Sequence, residues 1–550
     1  MRRLAFIVCA LAICAGCSSS SPMPDAGNGP PACGSHKNGP VTFIPGPGRD
    51  GYDATLAAAA RLHDRQFHAI NAYATGLAAE FTTTDAGVAE IAAFLSGSDS
   101  FELAETTGHP PESLGVWSKS AGLYGGAGIA ADAFRYAVLR DDGDDCAEVA
   151  TARAQLISGL EALDTAARIP GVPGVMARSL LRTDLPAAMP LDTTPLFDDG
   201  GMPLPAMKNN GTWRADNSGG RYPTLIWEDS LSRDMLVGWA LAFGVSFEVI
   251  DGDSSFSDDL KSRLREDAKQ VGLALKKVGA QGYDLEIPDA DGRVTYNGYL
   301  NENALDRGYI PGVDNGVYAL MSIGIIGALA KASGDASLSS YLSDTLVAQR
   351  RLDRIADTNA HLVDMGIGTN YSNTNMAFTG GFLAQRYVSG DTAGKLIRRA
   401  IRDELYFRPD NPTRQVKETK QTFFDLIYAE AELPDGTMFD SAAVAQGVET
   451  LSGYPAAPFW NLPRTNCDAS EVGSGTCTLD DGTTVTLTMS GTDVVADKPI
   501  PIEVRPTSNY YWRSNPYEPN DSSPGDGLTL ESGVDFRVAY WLGRWLRTAP

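Results

Sequence analysis

The sequence predicts an all-α fold, an (α/α)6-like toroid in which inner helices alternate with outer ones. Three observations predict it. Helix-like segments recur from residue 54 to the end, they are of two kinds, and the two kinds take turns along the chain. A segment with one apolar stripe belongs on an outside; a segment apolar on every side is a helix buried all round. A solenoid of helical hairpins would show a fixed period, and these spacings vary.

In chain order, "ATLAAAARLHDRQFHAINAYATGLAAEF" opens the series, with His63 and His68 read as helix-surface residues. The amphipathic kind continues with "CAEVATARAQLISGLEALDTAARI", "SDDLKSRLREDAKQVGLALKKVG", "SLSSYLSDTLVAQRRLDRIAD", "GKLIRRAIRDEL" and the shorter "SAAVAQGVETLSG". The inner kind has six members, starting at Ala121, Ser232, Val313, Asn373, Thr422 and Gly533. Most begin with a polar or acidic residue, as helix capping requires, and continue with Gly or Ala where neighbouring helices approach closely. Residues 171–226 and 281–312 are long connections of the sort that carry function. In the insertion 463–530, Val485, Leu487 and Met489 alternate with threonines, which predicts a small β-flap.

The first sixteen residues, "MRRLAFIVCALAICAG", pair two arginines with an apolar run too short to span a bilayer comfortably and end in small residues. That is the pattern of a secretory signal peptide. Its end, "ICAGC", resembles the lipobox of bacterial lipoproteins, with Cys14 where Leu is usual. The resemblance implies acylation of Cys17 and anchoring in the cell envelope, and Ser18 after it favours the outer membrane. Residues 17–50 read as a polar, Gly/Pro-rich tether, and 51–550 as one domain. With Cys17 lipidated, four cysteines remain in an oxidising compartment. Cys467 and Cys477 close a polar loop, and Cys33 with Cys146 follows by elimination. No second long apolar stretch is present, so the lipid is the expected membrane contact.

A formal charge of −24 and the lack of a basic stripe exclude nucleic acid as a partner. There is no GxSxG, P-loop, GxGxxG or HExxH. "DDGDD" at 141–145 and "DADG" at 289–292 lack the full calcium-loop pattern, so no metal or cofactor is expected.

Two stretches remain informative. In "IWEDSLSRDMLVGWALAFG" a helix beginning near Asp229 aligns Asp234 with Gly238, Leu241 and Val245. Asp234 thus heads a core-facing stripe, with Asp229 or Ser230 as cap and Arg233 paired to Glu228 or Asp229. A carboxylate in such a cavity has its pKa raised unless paired, which is how a general acid is made. The helix alternation and "WEDSLSRDMLVGWALAFG" resemble bacterial (α/α)6-toroid proteins, the architecture of several glycoside hydrolase and polysaccharide lyase families. The resemblance implies a substrate groove at the end where inner helices begin, lined by aromatics and acids, and it transfers no catalytic residue.

The second stretch, "SNYYWRSNPYEPN", sets Tyr510, Tyr511, Trp512 and Tyr517 beside Arg513 and Glu518 just before the last inner segment. Aromatic faces next to polar side chains recognise sugar rings. The expected substrate is therefore carbohydrate, hydrolysed by Asp234 and Glu518, with Asp229, Asp314 and Asp535 in reserve. Trp213, Trp227, Arg233, Tyr510, Tyr511, Trp512, Arg513, Tyr517 and Asp314 are the expected binding residues. A polysaccharide lyase using Tyr with Arg or Asn, and a non-catalytic glycan-binding or scaffold lipoprotein, are the alternatives.

Overall fold

A computed structural model describes residues 33–34, 41–363, 370–432, 439–467, 475–490, 493–520 and 525–548. The leader 1–16, Cys17 and most of the 17–50 tether lie outside the described residues. The chain is α-rich with small antiparallel sheets. Among the described residues the α-helices are α1 (Ala54–Gln66), α2 (Asp85–Gly97), α3 (Leu103–Thr107), α4 (Gly122–Asp142) and α5 (Cys146–Arg168). Then come α6 (Arg233–Ile250), α7 (Asp258–Lys276), α8 (Gly316–Ser333), α9 (Ala336–Ser340) and α10 (Leu352–Asn359). The series ends with α11 (Ser372–Tyr387), α12 (Asp391–Arg399), α13 (Thr422–Glu432), α14 (Ser441–Ser452) and α15 (Val534–Trp545).

The segments read as apolar all round become α4, α6, α8, α11, α13 and α15, each within three residues of its expected start. Their packing runs α4 on α6, α6 on α8, α8 on α11, α11 on α13, α13 on α15, and α15 back on α4. Glycine sets the closest approaches. A Cβ on Gly126 of α4 would stand 2.0 Å from the carbonyl oxygen of Gly238 on α6, and one on Gly324 of α8 would stand 2.2 Å from that of Gly380 on α11. Neighbours run parallel. Gly122 meets Met235 and Gly126 meets Gly238 between α4 and α6, and a Cβ on Gly128 of α4 would meet Val534 of α15 while Phe134 meets Trp545. These helices therefore share one end where they start and another where they finish.

The amphipathic helices pack outside them: α5 against α4, α7 and α10 against α8, α12 against α11, and α14 against α13. Three outer elements pass into π-helical turns, at Phe67–Asn71, Tyr341–Gln349 and Ala400–Phe407. The first of these ends the opening helix well before the expected Phe81.

The two histidines of that helix face inward, which corrects their surface assignment. His63 is 1% exposed and burial pushes it down to about 4. His68 Nε2 lies 3.0 Å from Asp132 Oδ1. Behind them Asp64 takes Arg537 Nε at 2.6 Å and Trp541 Nε1 at 3.0 Å, with Arg135 Nε at 3.4 Å. This charged knot ties α1, α4 and α15 together, because buried ions are tolerated only when paired.

Cys33 is bonded to Cys146, and Cys467 to Cys477. Cys146 opens α5 directly after α4 has finished, so the first bond lies at the finishing end of the helices. Phe43 and Ile44 are fixed there too, their N–H groups donating to Leu546 and Gly543 carbonyls at 2.9 and 2.8 Å. The alternating run at 484–490 is a strand of a three-stranded antiparallel sheet, Thr476–Thr478, Thr484–Ser490 and Asp493–Ala496. The connection 171–226 holds more strand than its composition announces: Ser179–Arg182, Leu225–Glu228 and Trp213–Ala215 join Ser120–Ala121 in a four-stranded sheet. That sheet sets the entries to α4 and α6 side by side.

Candidate functional site

The starting end of the helices gathers acidic and hydrogen-bonding side chains around Glu531. Strand Phe81–Thr83 lies between Gly115–Trp117 and Thr529–Leu530, with Phe81 opposite both Leu530 and Trp117. Continuing the register with Gly115–Trp117 by one residue sets Glu80 opposite Ser118. The Glu80 N–H donates to Ser118 Oγ at 3.1 Å, and the Ser118 N–H to the Glu80 carbonyl at 3.0 Å. On the other side the pairing ends at Phe81 and Leu530, where Asn71 Nδ2 bridges the Ala79 and Leu530 carbonyls at 2.8 and 3.2 Å. Glu80 and Glu531 come next on the two strands, close enough for the charge of Glu80 to act on Glu531.

Their surroundings differ. Glu531 is 3% exposed, and its Oε2 is buried without a hydrogen-bond partner. Burial first, then the nearby Glu80 and Asp535, pushes its carboxyl up to about 9. Glu80 is half-buried and accepts from Asn509 Nδ2 at 2.9 Å. Asp535 lies in the first turn of α15, where the Tyr454 hydroxyl and, at 2.7 Å, the Tyr511 N–H donate to it. Burial raises it to about 6 despite those hydrogen bonds.

Tyr124, in the first turn of α4, forms the adjoining wall. Its hydroxyl points to Asn509 Oδ1 at 3.4 Å, its ring centre is 5.5 Å from the Arg513 guanidinium, and Tyr510 packs 5.6 Å away. Burial, with lesser contributions from Asp234 and Glu80, pushes its hydroxyl up. Lys119 binds Glu228 at 2.8 Å beside it. Clefts of about 650 and 690 Å³ open towards the other end of the helices, one around Glu248, Arg386 and Glu430 and one around Arg61, Asp64 and Trp541. In the first, Arg386 is ion-paired with Glu248 and Glu430; in the second, Arg61 and Arg135 are ion-paired with Glu148, and Asp64 with Arg135 and Arg537.

The residues expected from sequence are distributed unevenly over this end. Asp234 is half-buried there, next to Tyr124, and accepts from the Ser232 hydroxyl. Glu518 accepts from Asn515 Nδ2 at 3.2 Å, within the stretch that follows the 476–496 sheet. Asp229 is not available for chemistry: it is 0% exposed and held by Arg214 at 2.6 Å and Lys208 at 3.3 Å. The cap of α6 is Ser232, not Asp229 or Ser230. Arg233 pairs with neither expected acid; it lies 4.8 Å over the Tyr318 ring and donates to the Asp306 carbonyl at 2.8 Å.

The aromatic platform is corrected more heavily. Trp227, Tyr510, Tyr511, Trp512 and Tyr517 are all buried. Trp227 donates to the Ala215 carbonyl at 2.9 Å, and Trp512 to that of Asp535 at 2.7 Å, so both indoles are internal supports. Trp213 and Arg513 remain half-exposed, and Asp314 is exposed at the entry to α8. Of the calcium-like stretches, Asp289 and Asp291 enclose Lys208 and Asp145 caps α5.

Sequence reasoning missed Glu80, Glu531 and Tyr124. The signal was faint: "EFTTT" and "LTLE" are strand-like stretches, each with a glutamate at one end, about 450 residues apart.

No family model and no curated protein matches the chain. Among solved structures it is similar to a sugar epimerase from a ruminal bacterium, at 10% identity and a TM-score of 0.33, over 77% of this chain and 88% of that one. It is also similar to the endoglucanase CelQ from Clostridium thermocellum complexed with cellotetraose, at 10% identity and 0.34, over 78% of this chain and 63% of that one. At these TM-scores neither likeness bears on what the site does.

Proposed function

We propose that the six parallel helices form the inner ring of an (α/α)6 toroid spanning 51–550, and that its starting end hydrolyses a glycosidic bond in a carbohydrate. The observation that carries this reading is the buried carboxyl of Glu531, whose Oε2 has no hydrogen-bond partner, beside Glu80. A carboxyl that keeps its proton well above neutrality, near a second one in a different environment, is the arrangement that divides acid from base. In the proposed step Glu531 gives its proton to the leaving glycosidic oxygen as the bond to the anomeric carbon breaks. Water adds to that carbon, and Glu80, steadied by Asn509, takes the water's proton. Asp234 and Arg513 are placed to hold sugar hydroxyls, and Asp535 acts on Glu531 through its charge.

The test is a panel of polysaccharides and oligosaccharides assayed for new reducing ends and for unsaturated products. Hydrolysis should appear as reducing ends, fall at least 100-fold in Glu531→Gln, and decline as pH rises through about 9, where the acid loses its proton. Unsaturated ends would instead favour a lyase built on Tyr124, Asn509 and Arg513, the second reading, which the Tyr124–Asn509 contact supports. No turnover of any member would leave a glycan-binding protein. An activity-independent check exists. Folded Glu531 keeps its proton to about 9, whereas an unfolded glutamate releases it near 4.3. Stability therefore falls with rising pH across that window, by up to about 1.4 kcal/mol per unit. Denaturation midpoints of Glu531→Gln should lack this decline.

On sequence grounds we also propose export and acylation at Cys17, with the outer membrane as the address. A labelled fatty acid should mark the wild type and not Cys17→Ser; label on the variant would contradict the assignment.

A further inference from the structure

We infer that the substrate enters end-on, as the terminal residue of a neutral saccharide chain, and that the enzyme releases product from a chain end without cutting mid-chain. This rests on the hydrolase reading above. A chain bound along its length needs a groove open on both flanks of the reacting carboxyls. Here one flank is filled. The segment running from Arg505 to Arg513 is fastened across the starting end of the helices: Arg505 donates to the Thr419 carbonyl just before α13 at 3.2 Å, Tyr510 packs on Tyr124 of α4, and the Tyr511 N–H and Trp512 Nε1 both bond Asp535 of α15. Residues 511–513 also pack on α11. The rings of Tyr510, Tyr511 and Trp512 beneath are 1%, 1% and 0% exposed, so they present no face on which further sugar units could stack.

The opposite flank is tied down as well. Arg233 holds the Asp306 carbonyl at 2.8 Å and Asn315 Nδ2 the Ala304 carbonyl at 3.1 Å, fixing residues 304–306 over the entries to α6 and α8. Between the two flanks stand the half-exposed Glu80, Lys119, Tyr124, Asp234, Asn509 and Arg513. Threading a polymer through would mean expelling buried aromatics and breaking the hydrogen bonds of Asp535, whereas a chain end needs neither. Charge narrows the class further: Lys119 and Arg178 are both engaged with Glu228, which disfavours uronic or sulfated sugars.

The experiment uses the full-length protein in detergent and neutral oligosaccharides of increasing length, free, blocked at the non-reducing end, or blocked at the reducing end. From free chains a single product size should appear from the first time point, and one of the two blocks should lower the rate at least 100-fold. Fragments of several sizes from the outset, with both blocked forms cut at the free-chain rate, would overturn end-on entry while leaving hydrolysis intact. Faster turnover of a uronic-acid series would overturn the neutral assignment. Hydrolysis of free chains that persists in Glu531→Gln, or no turnover of any chain, would remove the hydrolase reading and this inference with it.

Discussion

Trp512→Ala should destabilise the protein by about 3–5 kcal/mol, the range for emptying a buried tryptophan site. The indole is 0% exposed, packs against Tyr454 at a ring distance of 6.3 Å and donates to the Asp535 carbonyl. Truncation leaves a void at the start of α15 and removes the indole's hydrogen bond to a carbonyl that the helix also engages, and both terms act in the same direction. A large fall in the guanidinium midpoint by circular dichroism is the expected result. A stacking residue on an open rim would instead leave the midpoint unmoved and change only ligand binding, so an unshifted midpoint would reverse the burial assignment and reopen the platform. Because the same loop fixes Asn509 against Glu80, turnover should fall as well.

Asp64→Ala should cost a comparable amount, about 3–5 kcal/mol, for a different reason. Its carboxylate is 1% exposed and is the counter-ion of Arg537, itself 0% exposed, with Arg135 close by. Removing it leaves a guanidinium charge buried with Asp132 as its remaining acid, and Trp541 loses its acceptor. Asp141→Ala is the matched control: its ion pair with Arg140 is 41% exposed on the acid side, and such pairs contribute at most about 1 kcal/mol. Equal midpoints for the two variants would show that the Asp64 knot contributes no more than a surface pair.

The helices were legible because their signal is periodic and local. In α6 and α8 every turn carries apolar residues on all sides, and the segments read from sequence coincide with the folded helices to within three residues. Even the disulfides could be paired from spacing and compartment. The site was not legible, for a physical reason. Glu80 and Glu531 become neighbours through the register of strands three and two residues long, and nothing in so short a strand specifies its partner. The aromatics of 508–520 misled because composition cannot tell a ring that faces solvent from one that fills a mouth; Tyr510–Trp512 differ from a sugar platform only in where Asp535 holds them. Asp229 misled similarly, since its fixing partner Arg214 lies on the neighbouring strand, fifteen residues earlier.

The Cys33–Cys146 bond sets the side on which the chain enters the domain. It sits where α4 finishes, and Phe43 and Ile44 are stitched to the last turn of α15, so the chain enters the domain on the side remote from Glu531. With acyl chains on Cys17, fifteen residues would separate it from the disulfide, roughly 55 Å when fully drawn out. On the proposed acylation the domain would be leashed by its base, with the Glu531 end on the side away from the tether. Reducing the disulfide would lengthen the leash only as far as Phe43, on the same side.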